Sequence, residues 1–164
     1  MTMLLLLRAV KRVPWTKGRS LSTAVKRQRA AMMVIGDEIL NGSVPDSNSS
    51  LLSRRLFEKG ISLKRVEVIG DEVEDIVNTS RRLMSQHDFV FTSGGIGPTH
   101  DDKTYEALSL SFGLKLVEDP ISRQGLEAAL SQKNLTLNDA RRRMITLPSP
   151  AQIIRHPGLF LHLS

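Results

Sequence analysis

A glycine-rich segment, Gly94–Asp102, is the part of this 164-residue sequence best suited to chemistry. It lies between a short apolar run and a segment with helical spacing of apolar residues. Glycines let backbone N–H groups approach a phosphate closely, and the helix that follows adds the positive end of its dipole. The segment predicts an anion-binding loop. It is neither a Walker A loop nor a Rossmann fingerprint, and a glycine-rich turn alone can also serve without binding anything.

Acidic residues end this segment and follow two earlier apolar runs. Asp101 and Asp102 stand where a bound phosphate would lie, and paired acids there indicate a divalent cation or a role in proton transfer. The alternative to a ligand role for both is that one of the two caps the following helix or supplies an acid to its first turn while the other serves the ligand, and this division is favoured. Asp37, Glu38 and Asp71 each follow an earlier run, so we expect them to converge on the same edge of a sheet.

The other candidate groups are interpreted without a ligand. For His100, in the glycine-rich segment, a solvated side chain is favoured over a phosphate contact, and His87 is predicted to lie on the surface. The run Arg141–Arg143 is interpreted as a solvated helix face rather than a ligand clamp. Four scattered histidines and no cysteine argue against zinc sites and exclude disulfides and thiolate catalysis.

Apolar runs alternate with helical patterns along residues 30–112. Runs that end at Gly36, Gly70 and Gly94 predict strands, and Gly60 and Gly113 are predicted to end helices. The alternation implies parallel strands with helices on both faces, an α/β fold whose ligands bind at the carboxyl ends of the strands. The predicted strands are 30–35, 61–69 and 88–93, and the predicted helices are 47–59, 71–84 and 104–112.

The last third of the chain is less regular. Helices are predicted at 121–132 and 138–144. A ribbon of Ile145–Leu147 with Ile153–Ile154 is predicted around Pro148–Pro150.

Basic residues are concentrated at the amino terminus. Residues 1–30 hold eight of the 23 Lys and Arg and none of the 17 acids, which leaves 15 basic and 17 acidic residues and a net charge of −2 in the remainder. A nucleic-acid partner is therefore not expected. Residues 1–29 are predicted to be a mitochondrial targeting leader, disordered or cleaved, with the protein in the matrix. A disordered basic arm on a cytoplasmic protein is the alternative. Because no segment approaches the roughly 20 apolar residues of a bilayer span, membrane insertion is not expected.

Three motifs in order resemble the MoaB/Mog (molybdopterin-binding) domain family: Ile35–Gly42, Asp46–Asn48 and Gly94–Thr104. The resemblance is closest to the CinA amino-terminal domain and the amino-terminal domain of eukaryotic FAD synthase, and it covers about residues 30–150. It implies a three-layer α/β/α sandwich with a mostly parallel sheet. It also implies a homo-oligomer that binds a small-molecule dinucleotide or pterin.

The resemblance assigns roles to individual residues of this sequence. Asp102 and Asp71 match acids associated with catalysis and with a divalent metal, Mg or Co. The function implied is a metal-dependent pyrophosphohydrolase of FAD or ADP-ribose-like dinucleotides. The alternatives are a non-catalytic molybdopterin-binding module and a truncated inactive remnant. The residues implied to bind the ligand and its phosphates are Ser93, Gly94, Gly95, Gly97, Thr99, Thr104, Asp37 and Asp46.

The sequence departs from the family pattern in two places. Asp46-Ser47-Asn48 replaces Asp-Thr-Asn and keeps a hydroxyl. Residues 151–164 form an atypical tail where the family continues with a further strand and a second glycine–proline motif. We therefore expect a domain that lacks its last strand or strands and has an unpaired sheet edge. The chain has no room for an adenylyltransferase domain, so FMN adenylylation by this chain alone is not expected.

Overall fold

The computed structural model describes residues 28–153 and the backbone of a strand at residues 4–8. The rest of the predicted leader, and the tail from residue 154 with one arm of the predicted ribbon, lie outside the described residues. The described elements, in chain order, are β1 (Leu4–Arg8), β2 (Arg29–Ile35), α1 (Asp37–Leu40), α2 (Asn48–Glu58), β3 (Ser62–Ile69), α3 (Val73–Gln86), β4 (Phe89–Ser93), α4 (Thr104–Phe112), β5 (Lys115–Glu118), α5 (Pro120–Gln132), α6 (Asp139–Arg143) and β6 (Thr146–Ser149).

Strand β2 is an inner strand of a four-stranded sheet with the order β1-β4-β2-β3. It pairs in parallel with both β3 and β4, as the alternation of strands and helices predicts. Every residue from Ala30 to Ile35 is buried. Because helices cover both faces of this strand, its sequence is continuously apolar rather than alternating.

Alternate side chains of β2 pack against helices on opposite faces of the sheet. Met33 and Ile35 lie in one core with Ile76 of α3, and Met32 lies in the other with Leu56 of α2. Burial of each such side chain contributes about 1.5–3 kcal/mol. The predicted three-layer α/β/α sandwich is confirmed, and these two cores fix where the loops after β2, β3 and β4 emerge.

The carboxyl-terminal third forms a separate two-stranded sheet that the sequence did not predict. Strand β6 pairs antiparallel with β5. The sequence did not indicate β5 because it has only two apolar residues, Leu116 and Val117, between charged ones. Helices α5 and α6 lie between the two strands in the chain, and the amide of Asp119 donates to the carbonyl oxygen of Ile145 at 2.8 Å.

The edge of β4 that faces away from β2 is paired by the chain's own amino terminus. Strand β1 runs antiparallel to β4, with Leu4 opposite Ser93 and Arg8 opposite Phe89. The sequence did not predict this pairing, because residues 1–29 have the composition of a targeting leader. The strand that carries the glycine loop is therefore hydrogen-bonded on both sides.

Candidate functional site

The loops after β2, β3 and β4 line one cleft of about 470 Å³ at the carboxyl edge of the sheet. This is the edge at which parallel strands place ligand sites. The convergence of Asp37, Glu38 and Asp71 near the glycine loop was predicted from the sequence. The residues in the wall are Ile35, Gly36, Asp37, Glu38, Asp71, Glu72, Gly95, Thr99, Asp101, Asp102 and Lys103.

The wall of the cleft is strongly acidic. Six of its residues carry carboxylates, and Lys103 is its one basic residue. Because like charges within a few ångströms of one another are destabilised, a negatively charged ligand entering this cleft needs a compensating cation.

Asp71 lies at the centre of this charge. Its Oδ2 accepts a hydrogen bond from the amide of Asp37 at 3.2 Å. Burial raises the pKa of Asp71 above its ordinary value, and the carboxylates of Asp37, Glu38 and Asp102 raise it further, against the opposing effect of the Asp37 amide. A bound cation would reverse this shift.

The glycine loop, Gly94–Asp102, lies close to strand β2, and its first two glycines leave no space for a side chain. Gly94 has a φ of 101° and Gly95 a φ of 61°, both in the region that favours glycine. A Cβ on Gly94 would overlap the carbonyl oxygen of Ile35, and one on Gly95 would overlap the hydroxyl of Thr104. The loop therefore passes directly over the end of β2, beside Asp71.

Thr104 supports the loop from below. It is fully buried, its hydroxyl donates to the carbonyl oxygen of Gly94 at 2.9 Å, and its amide donates to that of Gly95 at 3.0 Å. The role in ligand contact that the resemblance implies for Thr104 stays a prediction, and in this structure its hydroxyl does not face the cleft. Its hydroxyl acts on the loop instead.

Four other predicted ligand residues also lie outside the cleft wall. Ser93 is buried, and its hydroxyl accepts from Asn48 Nδ2 at 2.9 Å. Asp46 Oδ1 accepts from the amides of Asn48 and Ser49, both at 3.0 Å, so it caps the start of α2. Gly94 rests on β2, and Gly97 borders a second cavity behind the loop. The predicted site residues that the structure brings together are Asp37, Asp71, Gly95, Thr99 and Asp102.

Asp102 closes the loop on itself. Its Oδ2 accepts from the amide of Thr99 at 2.7 Å and from the Thr99 hydroxyl. A Cβ on Gly97 would lie 2.8 Å from the same oxygen. Asp102 therefore sits in a fixed position between the cleft and the cavity behind the loop.

Neither acid of the Asp101–Asp102 pair caps α4, which corrects that alternative. The residue at the helix boundary is Lys103, and the acid in the first turn is Glu106. Asp101 instead lies 3.2 Å from His100 Nε2, with both side chains exposed. His100 is solvated, as predicted.

Residues 31–156 match a family described as "Probable molybdopterin binding domain". The chain belongs to this molybdopterin-binding domain family. A "Probable FAD synthase" from Caenorhabditis briggsae is 45% identical over 105 residues, which are 64% of this chain and 18% of the relative. A "CinA-like protein" from Myxococcus xanthus is 33% identical over 129 residues, which are 79% of this chain and 31% of the relative.

A solved CinA structure shares the fold. The protein, from Thermoplasma acidophilum and described as of unknown function, has a TM-score of 0.67 at 26% identity, with 80% of this chain and 76% of that chain covered. The predicted family and fold are thus confirmed. The part of this chain that matches spans less than a third of the length of the two relatives above.

Sequence reasoning about this molybdopterin-binding domain missed two residues. His87 was wrongly predicted to be on the surface: it is 6% exposed and its Nδ1 lies 3.0 Å from the carbonyl oxygen of Leu83, at the end of α3. Arg143 was interpreted as solvated, but it contacts the glycine loop at Pro98 and Thr99. More than 40 residues separate Arg143 from Pro98 and Thr99, so no local sequence pattern could have revealed this contact.

Proposed function

We propose that the cleft binds a phosphate-bearing pterin or dinucleotide and hydrolyses a diphosphate bond such as that of FAD or ADP-ribose. The acidic wall supports this proposal most directly. Six carboxylates against one lysine disfavour binding of a bare polyphosphate and favour one that arrives with a divalent cation. The family membership supports a small-molecule ligand.

The cation would be held by Asp71 and Asp102, with Mg or Co as the candidate ions. Within the described residues, no group of three His, Cys, Asp or Glu side chains is placed to hold a metal ion. Mg²⁺ is commonly bound by one or two carboxylates plus substrate phosphates, so this donor set fits a cation shared with the ligand. When bound, such an ion neutralises phosphate charge and lowers the pKa of coordinated water.

The chain's own groups would orient the ligand. In this proposal, backbone amides of the glycine loop bind the phosphates, and Lys103 adds the one positive side chain in the wall. Thr99 holds the Asp102 carboxylate in position, because Oδ2 of Asp102 accepts two hydrogen bonds from Thr99. Oδ1 of Asp102 has no hydrogen-bond partner among residues 28–153. These contacts keep the carboxylate from rotating as the ligand binds.

A second candidate is a molybdopterin-binding module without turnover. It is favoured by the family description and by the lack of a complete metal site among the described side chains. Such a module would retain a pterin and release no product. The inactive remnant is the outcome in which neither occurs.

The test uses the full chain. Purified protein is incubated with FAD, ADP-ribose, NADH or coenzyme A and with Mg²⁺ or Co²⁺, and products are identified by mass spectrometry. We expect metal-dependent release of AMP from FAD or ADP-ribose that falls by at least about a hundredfold in Asp102→Asn and Asp71→Asn. Glu74→Gln, an exposed acid in the first turn of α3, is the matched control and should keep full activity. Tight pterin retention without product would replace the hydrolase by the binding module.

Location and assembly are further proposals. We propose import into the mitochondrial matrix through residues 1–29, tested by the location of a fluorescent protein fused behind them, and a homo-oligomer, tested by light scattering. No helix within residues 28–153 has the length and apolar character needed to cross a membrane.

A further inference from the structure

Arg143, the last residue of α6, contacts the glycine loop. Its Nη2 donates to the carbonyl oxygen of Pro98 and to that of Thr99, each at 3.2 Å. Hydrogen bonds from a charged donor are stronger than neutral ones. One guanidinium nitrogen thus holds two consecutive peptide groups of the loop.

The backbone that carries Arg143 is firmly anchored. The next two residues, Met144 and Ile145, are 8% and 1% exposed. Ile145 packs with Leu126 and Leu130 of α5. Because these neighbours are buried, packing holds the backbone that carries Arg143 in place.

The two neighbouring arginines have other partners. Arg141 donates to the carbonyl oxygen of Thr136 at 2.9 Å, and Arg142 lies 3.7 Å from Glu118. Within the run of three, the described contacts to the loop come from Arg143 alone. Arg141 is therefore a suitable control for substitutions of Arg143.

The loop has little packing behind it on the side that Arg143 holds. A cavity of about 170 Å³ lies between the loop and α6, bordered by Gly97, Tyr105, Leu116, Arg142 and Arg143 among others. This cavity is partly open to solvent, so it places no packed side chains against this part of the loop. Hydrogen bonds therefore do the work on this side that side-chain packing does elsewhere.

Planarity of the peptide bond links this contact to the cleft. In a trans peptide the C=O and the following N–H point in opposite directions. When Arg143 holds the carbonyl of Pro98, the amide of Thr99 is turned the other way, where it donates to Asp102 Oδ2 at 2.7 Å. We infer that Arg143 is a positioning residue: it orients the Thr99 amide, which in turn fixes the Asp102 carboxylate at the cleft.

The effect of Arg143 on turnover rests on the proposed function, but its effect on the loop does not. The test therefore has two readouts in the full chain. Hydrogen exchange of residues 94–104 measures the order of the loop. AMP release from ADP-ribose, followed at varied Mg²⁺ and varied ADP-ribose concentrations, gives the half-saturating Mg²⁺ concentration, kcat and the KM for ADP-ribose.

In Arg143→Gln we expect loop amides to exchange about tenfold faster and the half-saturating Mg²⁺ concentration to rise about tenfold, with a smaller change in the KM for ADP-ribose. Arg143→Lys, which keeps the charge, should recover part of both effects. Arg141→Gln is the matched control and should behave as wild type. The side chain of Arg143 is exposed, so neither substitution should prevent folding.

Wild-type exchange rates in Arg143→Gln would overturn the inference whether or not the protein hydrolyses anything. If the wild-type chain has no activity with any substrate, the proposed function fails and the exchange measurement still decides the role of Arg143. If exchange is faster but the Mg²⁺ requirement is unchanged in an active protein, the link from Thr99 to Asp102 is wrong.

Discussion

At the scale of single residues, substitution of Gly95 in the glycine loop is unfavourable for two separate reasons. Gly95 has a left-handed backbone, which costs any other residue about 1–2 kcal/mol. It also faces the buried hydroxyl of Thr104, where a Cβ has no space. Gly113, at the end of α4, shares the first property with a φ of 64° but has open space around it.

The comparison of Gly95→Ala with Gly113→Ala therefore isolates the steric contribution. We expect Gly113→Ala to lower the free energy of unfolding by about 1 kcal/mol and Gly95→Ala by about 2–4 kcal/mol, because the second change also displaces Thr104. Denaturant unfolding measures both. Equal losses would show that the loop can move away from Thr104 at little cost.

At the scale of elements, β3 and α3 are joined by a charged contact on the surface of the sandwich. Glu67 of β3 accepts from Arg82 of α3 at 2.9 Å and from Arg65 at 3.2 Å. The hydrogen bonds from Arg82 lower the pKa of Glu67 from 4.5 to about 2, with a smaller contribution from Arg65 and against the effect of burial. The contact joins β3 to α3 two residues before the end of the strand.

The pKa of Glu67 predicts how the stability of the protein depends on pH. A carboxylate whose pKa is lower in the folded state stabilises that state above its unfolded pKa, and the contribution is lost as the pH falls toward the folded value. We expect Glu67→Gln to lower the free energy of unfolding by about 1 kcal/mol at pH 7, since Arg82 is partly exposed, and the difference from wild type to shrink between pH 4.5 and pH 2.

Denaturant unfolding at pH 7, 4.5 and 3 makes this measurement. Glu58→Gln is the control, because Glu58 pairs with Arg55 while both side chains are more than half exposed, and it should have no effect beyond about 0.5 kcal/mol at any of these pH values. A Glu67→Gln difference that stays constant down to pH 3 would mean that the lowered pKa of Glu67 is wrong.

The sequence predicts an element well where a buried periodic pattern extends over several residues. Strands β2 to β4 and helices α2 to α4 follow from such patterns. Helix α1 is a single turn without buried residues, and β5 offers only two apolar positions, so neither has enough periodicity to be found. The acids of the cleft were predicted because parallel strands end at one edge. The support from Thr104 and Arg143 depends on tertiary contacts, which no local pattern contains.

At the scale of the whole molecule, the amino-terminal strand determines whether the sheet has an open edge beside the glycine loop. Strand β1 pairs with the full length of β4. An unpaired strand edge presents free N–H and C=O groups that can pair with another chain. Completion of the sheet therefore depends on residues 4–8, far from the domain in the sequence.

Removal of residues 1–27 tests this dependence. We expect amides of β4 to exchange faster by at least about tenfold in the shortened protein and the protein to self-associate more readily in light scattering. Strand β3, on the opposite side of β2, is the internal reference and should exchange as before. Unchanged exchange in β4 would show that β1 contributes nothing to the order of this edge.

The pairing of β1 has a consequence for traffic inside the cell. Five residues cannot at once form a strand and present themselves to an import receptor as a helix. If the amino terminus is a targeting signal, a polypeptide that folds in the cytosol makes that signal inaccessible. Only a chain that is still unfolded exposes it. The rate of folding, and not the targeting signal alone, would then determine how the protein is distributed between the cytosol and the mitochondrial matrix.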